Sequence, residues 1–217
     1  MMIGHTAVAL GAKKVSPATS LGTLLAAAAM LDLIWPFLII LGIEHVTIAP
    51  GDTAFTPLDF VSYPWSHSLL MAVLWGIAFG AVYFAIAYNR TGAIVCAALV
   101  PSHWLLDWIS HRPDLPLIPG SDARYGLGLW NSVPLTMIVE LLLFAGGVWV
   151  YVSTTRARDH VGSRGLFAFL AVNLVLYAGV AFGPPPPSVS AIAATGIGQF
   201  LFIAFAAWID RHRSIAT

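Results

Sequence analysis

The chain has 217 residues, of which 59% are hydrophobic and 9% charged, and its mean hydropathy is +0.84. Soluble domains carry about 25% charged residues, and a chain this short buries only about 70% of its extended surface; an ordinary soluble enzyme and a disordered chain are therefore excluded. Ten basic and ten acidic residues cancel, so no field draws a polyanion and nucleic acid is not an expected partner.

The remaining class is an all-α, polytopic integral membrane protein. The length suits one domain, residues 1–217, of about six helices. Ile3 to Gly11 is apolar but too short to cross about 30 Å of hydrocarbon. Lys13 and Lys14 follow this stretch, the reverse of a secretory signal. Leu21 to Gly42 is a full span, interrupted by Asp32 and Pro36. A polar loop from Glu44 leads to Ser66, an expected N-cap for a span from His67 to Tyr88. The third span covers Ala93 to Ser110 and contains the lone cysteine, Cys96. A second long loop, His111 to Trp130, ends at Asn131 or Ser132, either of which suits a cap for a span to Val152. After a polar stretch come two further spans, Gly165 to Phe182 and Val189 to Ile209, joined by a stiff turn over prolines 184–187. On this reading residues 1–152 carry the polar site. Residues 153–217 supply a cytoplasmic loop and two packing helices.

Basic residues orient the bundle. Lys13, Lys14, Arg90, Arg156, Arg158, Arg164, Arg211 and Arg213 fall on one side, and only Arg112 and Arg124 on the other. The long loops are therefore expected outside the cytoplasm. With Lys13 and Lys14 inside, Ile3 to Gly11 is either a half-spanning helix that hairpins at Ser16-Pro17 into the first span, or a loose cytoplasmic segment.

An ionisable residue within a span costs roughly 2.5–3.5 kcal/mol on insertion scales. Asp32, His103, Asp107 and Glu140 lie in spans, and His67 opens one. His103 and Asp107 are four residues apart, about 400° of rotation and 6 Å of rise, so they stack on one helix face as paired metal ligands do. His111 continues the stripe about 12 Å from His103, suited to a second metal or a substrate group. Pro36 and Pro101 free the carbonyls of Asp32 and Ala97, and such notches are tolerated where they line a cavity. In the hairpin reading, His5 and Asp32 lie within about 6 Å in depth. His5, Asp32, His67, His103 and Asp107 then converge in the outer half of the bilayer.

Gly4-His5, Met30-Leu31-Asp32-Leu33, Ser66-His67-Ser68-Leu69-Leu70 and Ser102-His103-Trp104-Leu105-Leu106-Asp107 together resemble the YdjM-like inner-membrane proteins, described as membrane-bound metal-dependent hydrolases. The resemblance covers about residues 3–135. It implies a bacterial inner-membrane location, a divalent metal and a relation to zinc-dependent phospholipase C folds. The chain departs from the family pattern at Ile34 and Trp35, where a second acid and a His are usual, and at Ser62, where another His is usual.

The resulting expectation is a membrane hydrolase with one or two divalent metals. His and carboxylate ligands suit zinc, with manganese and iron as alternatives. The ligands are drawn from His5, Asp32, His67, His103, Asp107 and His111. The metal lowers the pKa of a bound water, and Asp107 or Glu140 accepts its proton. Arg112 and Arg124 are placed to hold a phosphate, and the substrate is a lipid or lipid-linked phosphoester. The alternative is a non-enzymatic protein with a degenerate metal site. It is either an ion- or proton-coupled transporter or a scaffold whose outer loops, with Trp65, Tyr125 and Trp130, form a contact surface.

Overall fold

A computed structural model describes residues 1–216. In chain order the helices are α1 (Met2–Ala12), α2 (Leu21–Ala28), α3 (Met30–Ile40), α4 (Pro64–His67), α5 (Leu69–Ala87), α6 (Arg90–Ser110), α7 (Val133–Thr154), α8 (Leu166–Phe182) and α9 (Val189–Arg211). Three short antiparallel ribbons join them: β1 (His45–Ile48) with β2 (Leu58–Ser62), β3 (Leu115–Pro116) with β4 (Arg124–Tyr125), and β5 (Thr155–Ala157) with β6 (Arg213–Ile215). Five helical segments are long and apolar enough to cross a membrane, and a sixth forms if α2 and α3 count as one bent span. Leu142, Trp149, Phe167, Val175 and Leu201 are each 69–78% exposed. Faces of this kind suit hydrocarbon and not water.

The span boundaries follow local chemistry. Ser20, Asn89, Ser132 and Ser188 each accept a backbone N–H three residues on, capping α2, α6, α7 and α9. The cap of α5 is Ser68, whose Oγ accepts from Met71 N, and not Ser66. Ser66 lies in the single turn α4, with its hydroxyl engaged elsewhere.

The N-terminal segment forms the hairpin. At 11 residues, α1 rises about 16 Å, half the hydrocarbon thickness. Ile3, Ala9 and Leu10 are fully buried. The chain reverses between Lys13 and Ser20 and returns as α2. The first span then bends by 57° between α2 and α3. The break falls at Ala29 (φ −99°, ψ 6°), not at Pro36, which sits inside α3. Pro36 instead serves packing, because a side chain on Gly196 of α9 would run into its ring.

Glycines let backbones approach where the bundle is tightest, the small-residue packing expected without a hydrophobic drive between spans. A Cβ on Gly76 would lie 2.5 Å from the carbonyl oxygen of Ala97, and one on Gly80 would lie 2.8 Å from that of Ala93. The carbonyl freed by Pro101 therefore abuts α5. Gly147 of α7 likewise admits the backbone of Ala7 in α1, and Gly22 of α2 admits Ala207 of α9.

The two ends of the bundle differ. At one end Lys13 Nζ reaches Asp210 Oδ2 at 2.6 Å. The same carboxylate takes Leu21 N at 3.0 Å and Tyr151 OH at 2.7 Å. β5 and β6 pair at this end, with Arg156 opposite Ser214 and Ala157 opposite Arg213. At the other end β1–β2 and the 111–132 loop fold over the bundle, joined by Phe55 N to Trp130 O and Leu70 N to Leu117 O. The polar cluster lies beneath these loop segments.

Candidate metal centre

Four helices bring five predicted residues together. His5 comes from the first turns of α1, Asp32 from the start of α3, His67 from the end of α4, and His103 and Asp107 from consecutive turns of α6. They form two overlapping triads, His5–His103–Asp107 and Asp32–His67–His103, in each of which the ligand atoms lie within 4.8 Å of one another. His103 is common to both. All but Asp32 are buried; the Asp32 side chain is 35% exposed.

The distances define a tight knot. His103 Nε2 is 3.0 Å from Asp107 Oδ2 and 3.7 Å from Asp32 Oδ1. His67 Nε2 is 3.4 Å from Asp32 Oδ1 and 3.9 Å from Asp107 Oδ2. His5 Nε2 hydrogen-bonds Asp107 Oδ1 at 3.1 Å, and its ring stacks on that of His103 at 3.6 Å. The Met1 amino group also donates to Asp107 Oδ1, and to Ser110 Oγ at 3.1 Å.

The outer partners of two imidazoles set their tautomers. His103 Nδ1 lies 2.7 Å from the carbonyl oxygen of Ala28. A carbonyl only accepts, so Nδ1 carries a proton, and in the neutral ring Nε2 presents a lone pair. That Nε2 is buried and makes no hydrogen bond. His67 Nδ1 lies 2.7 Å from Ser66 Oγ, whose hydroxyl donates to Glu44 Oε2 at 2.6 Å. Ser66 has one proton to give and gives it to Glu44, so His67 Nδ1 donates and its Nε2 also presents a lone pair. Glu44 is itself buried and fixed, its Oε1 taking Trp65 N and Ser66 N at 2.7 and 2.8 Å. Imidazoles oriented this way by outer partners are typical of metal ligands. In the neutral rings these lone pairs face carboxylates, a donor set that fits a divalent metal.

The other predicted site residues stand elsewhere. His111 is buried and lies outside both triads. Its Nδ1 meets Asp114 at 3.0 Å and Tyr63 OH at 3.3 Å, and its ring packs on Trp130 at 4.2 Å. It does border a cavity of about 180 Å³ shared with His5, Asp32, His67 and Asp107. Glu140 of α7 caps α1: its Oε2 accepts Ile3 N at 2.9 Å and Gly4 N at 3.2 Å. Arg112 is ion-paired with Asp52 and Asp59 and lies 3.5 Å from Asp114. Arg124 is exposed and donates to the backbone of Ser121 and Ala123. Trp130 is buried over the site, whereas Trp65 and Tyr125 remain exposed.

The loops over the cluster have their own electrostatics. Burial pushes the Asp52 carboxyl up despite the opposing Arg112 guanidinium. Burial and the adjacent Asp114 carboxylate push the Tyr63 hydroxyl well above its ordinary value. Arg112 pays a burial cost of its own, but Asp52, Asp59 and Asp114 outweigh it and hold the guanidinium above its usual range.

Sequence reasoning missed Glu44, which reads as one acid in a polar loop, and the carbonyl of Ala28, in an alanine run with no proline or glycine. The Ser66-His67 pair was the available signal for the first. No protein-family model, curated protein or solved structure matches the chain.

Proposed function

We propose that the chain is a membrane-integrated, metal-dependent hydrolase acting on a lipid or lipid-linked phosphoester. The observation that carries this reading is the buried Nε2 of His103, which faces Asp107 Oδ2 at 3.0 Å without hydrogen-bond geometry, at the junction of two His/Asp triads. His5, Asp32, His67, His103 and Asp107 would hold the metal, and this donor set suits zinc, then manganese or iron. When bound, such a metal supplies a Lewis acid that lets a water lose its proton near neutral pH.

The chain's own residues divide the remaining work. Ala28 and Ser66 hold the two imidazoles in the ligating tautomer. Asp107 is enclosed and acts as a fixed anchor. Asp32 is the open carboxylate, and its oxygen not offered to the metal takes the proton of the attacking water. As the water oxygen bonds to phosphorus, the P–O ester bond breaks, and the proton on Asp32 passes to the leaving alkoxide. Glu140 supports His5 by holding α1. Arg112 is neutralised by its acids, which leaves the anionic group to the triads themselves. The motif resemblance to the YdjM-like proteins supports the same reading. The resemblance supports a bacterial inner-membrane location, and the charge bias supports this end lying outside the cytoplasm.

The test is metal content in untagged protein purified in mild detergent, beside the His103→Ala/Asp107→Ala variant. About one or two equivalents in the wild type, lost in the folded variant, together with metal-dependent cleavage of a nitrophenyl phosphodiester, is the expected result. A folded wild type that takes up no zinc, manganese or iron overturns it. The cluster is then a packing feature or an ion pathway, which proton flux in vesicles distinguishes.

A further inference from the structure

A second cavity lies beside the His/Asp cluster. About 470 Å³ of space runs between α1, the α2–α3 bend, α8 and α9, within the size range of small-molecule sites. One end is polar, formed by His5 and Asp32, the two cluster residues that border it. The rest is mostly apolar, with Leu176, Val180 and Phe202 on the walls. Asn173 also borders it, but its amide is already engaged by Thr6 and by Phe169 O. Gly198 of α9 faces open space, and a Cβ there would meet nothing within 4 Å.

Two features select an occupant. First, Leu176 and Val180 are 50% and 40% exposed and belong to a helix apolar enough to span a membrane. The groove therefore opens sideways between spans, toward hydrocarbon. Second, its inner end is the only carboxylate of the cluster that is substantially open, with a buried imidazole beside it.

We infer that this groove seats one hydrocarbon chain of a membrane phospholipid, entering between α8 and α9 with the phosphate end at Asp32 and His5. The orientation of the phosphate rests on the hydrolase reading; the seating of the chain does not. An apolar chain gains little by leaving lipid for an apolar slot, so the groove acts by positioning: it sets which ester bond stands at the cluster.

The test uses vesicles of phosphatidylglycerol with a photoactivatable group in one acyl chain. Gly198→Trp projects into the groove from a position where a Cβ meets nothing within 4 Å. Gly146→Trp, at another glycine with open space around it, is the control on the lipid-facing side of α7. Crosslinks to Leu176, Val180 and Phe202 are expected in the wild type and in Gly146→Trp. In Gly198→Trp they fall by about tenfold, with bound metal unchanged. His103→Ala/Asp107→Ala is expected to lose metal yet keep the crosslinks, which separates the groove from the hydrolase reading. Equal crosslinking in Gly198→Trp and Gly146→Trp would mean lipid merely surrounding the bundle, and overturns the assignment. So would crosslinks spread evenly over all spans.

Discussion

His103 Nδ1 donates to the carbonyl oxygen of Ala28 at 2.7 Å, and Ala28 is the last residue before the first span bends. A ligand on α6 is thus aimed by the backbone of α2 at the point where that backbone leaves helical geometry. The bend and the ligand orientation are one feature, and the 57° turn also carries Asp32 to the opposite side of the same imidazole.

The Glu44–Ser66–His67 chain makes a second ligand depend on a residue outside the spans. Ser66→Ala and Glu44→Gln are each expected to weaken zinc binding by about 10–100-fold with helicity retained. Competition against a chromophoric chelator measures this. Unchanged affinity in Ser66→Ala would remove Ser66 from any orienting role.

Glu140 offers an acceptor to two N–H groups that open α1, groups that have no partner in their own helix. Glu140→Ala strands both at a cost of about 1–3 kcal/mol. Faster amide exchange over Met2–Ala12 is expected. Glu140→Gln keeps a carbonyl oxygen there and should exchange nearly as slowly as the wild type. If Glu140→Gln abolishes catalysis while α1 stays protected, Glu140 has a chemical role as well.

Gly76 leaves no room for a side chain against Ala97 O. Gly76→Leu is expected to destabilise the protein by about 1–3 kcal/mol, as overpacking does, read from unfolding in detergent. Gly146→Leu, facing open space, should change little. Equal effects would mean that α5 and α6 separate without penalty.

Lys13 and Asp210 form a buried pair whose side chains are 5% and 8% exposed. Removing one partner of such a pair typically costs about 3–5 kcal/mol. Lys13→Met should therefore lower the unfolding temperature. Lys13→Met/Asp210→Asn should recover part of the loss, because the stranded charge is gone. A double variant no better than the single one would place the stabilisation in Asp210's bonds to Leu21 N and Tyr151 instead.

Much of the architecture is legible in the sequence because hydrocarbon permits so few solutions. Apolar length marks the spans, and Ser132 and the His103–Asp107 spacing need only local geometry. The convergence of His5 and Asp32 follows from counting residues around the Ser16-Pro17 turn. The rest depends on contacts between distant segments. Arg112 looks free in its loop, yet its acids come from Asp52 and Asp59, more than fifty residues earlier. The bend at Ala29 has no proline or glycine to announce it; its partner is an imidazole 75 residues away. The ribbons escape notice because two to five residues are too few for an alternating pattern to register.

The enclosure of α1 also fixes an order of assembly. A helix of 11 residues cannot span the bilayer alone, and the acceptor for its first N–H groups belongs to α7. His5 is made well before α7, yet the acceptor that holds its helix in place arrives only once α7 has entered the membrane. The triad containing His5 is thus completed late, and a chain halted before α7 would leave the opening N–H groups of α1 without their acceptor.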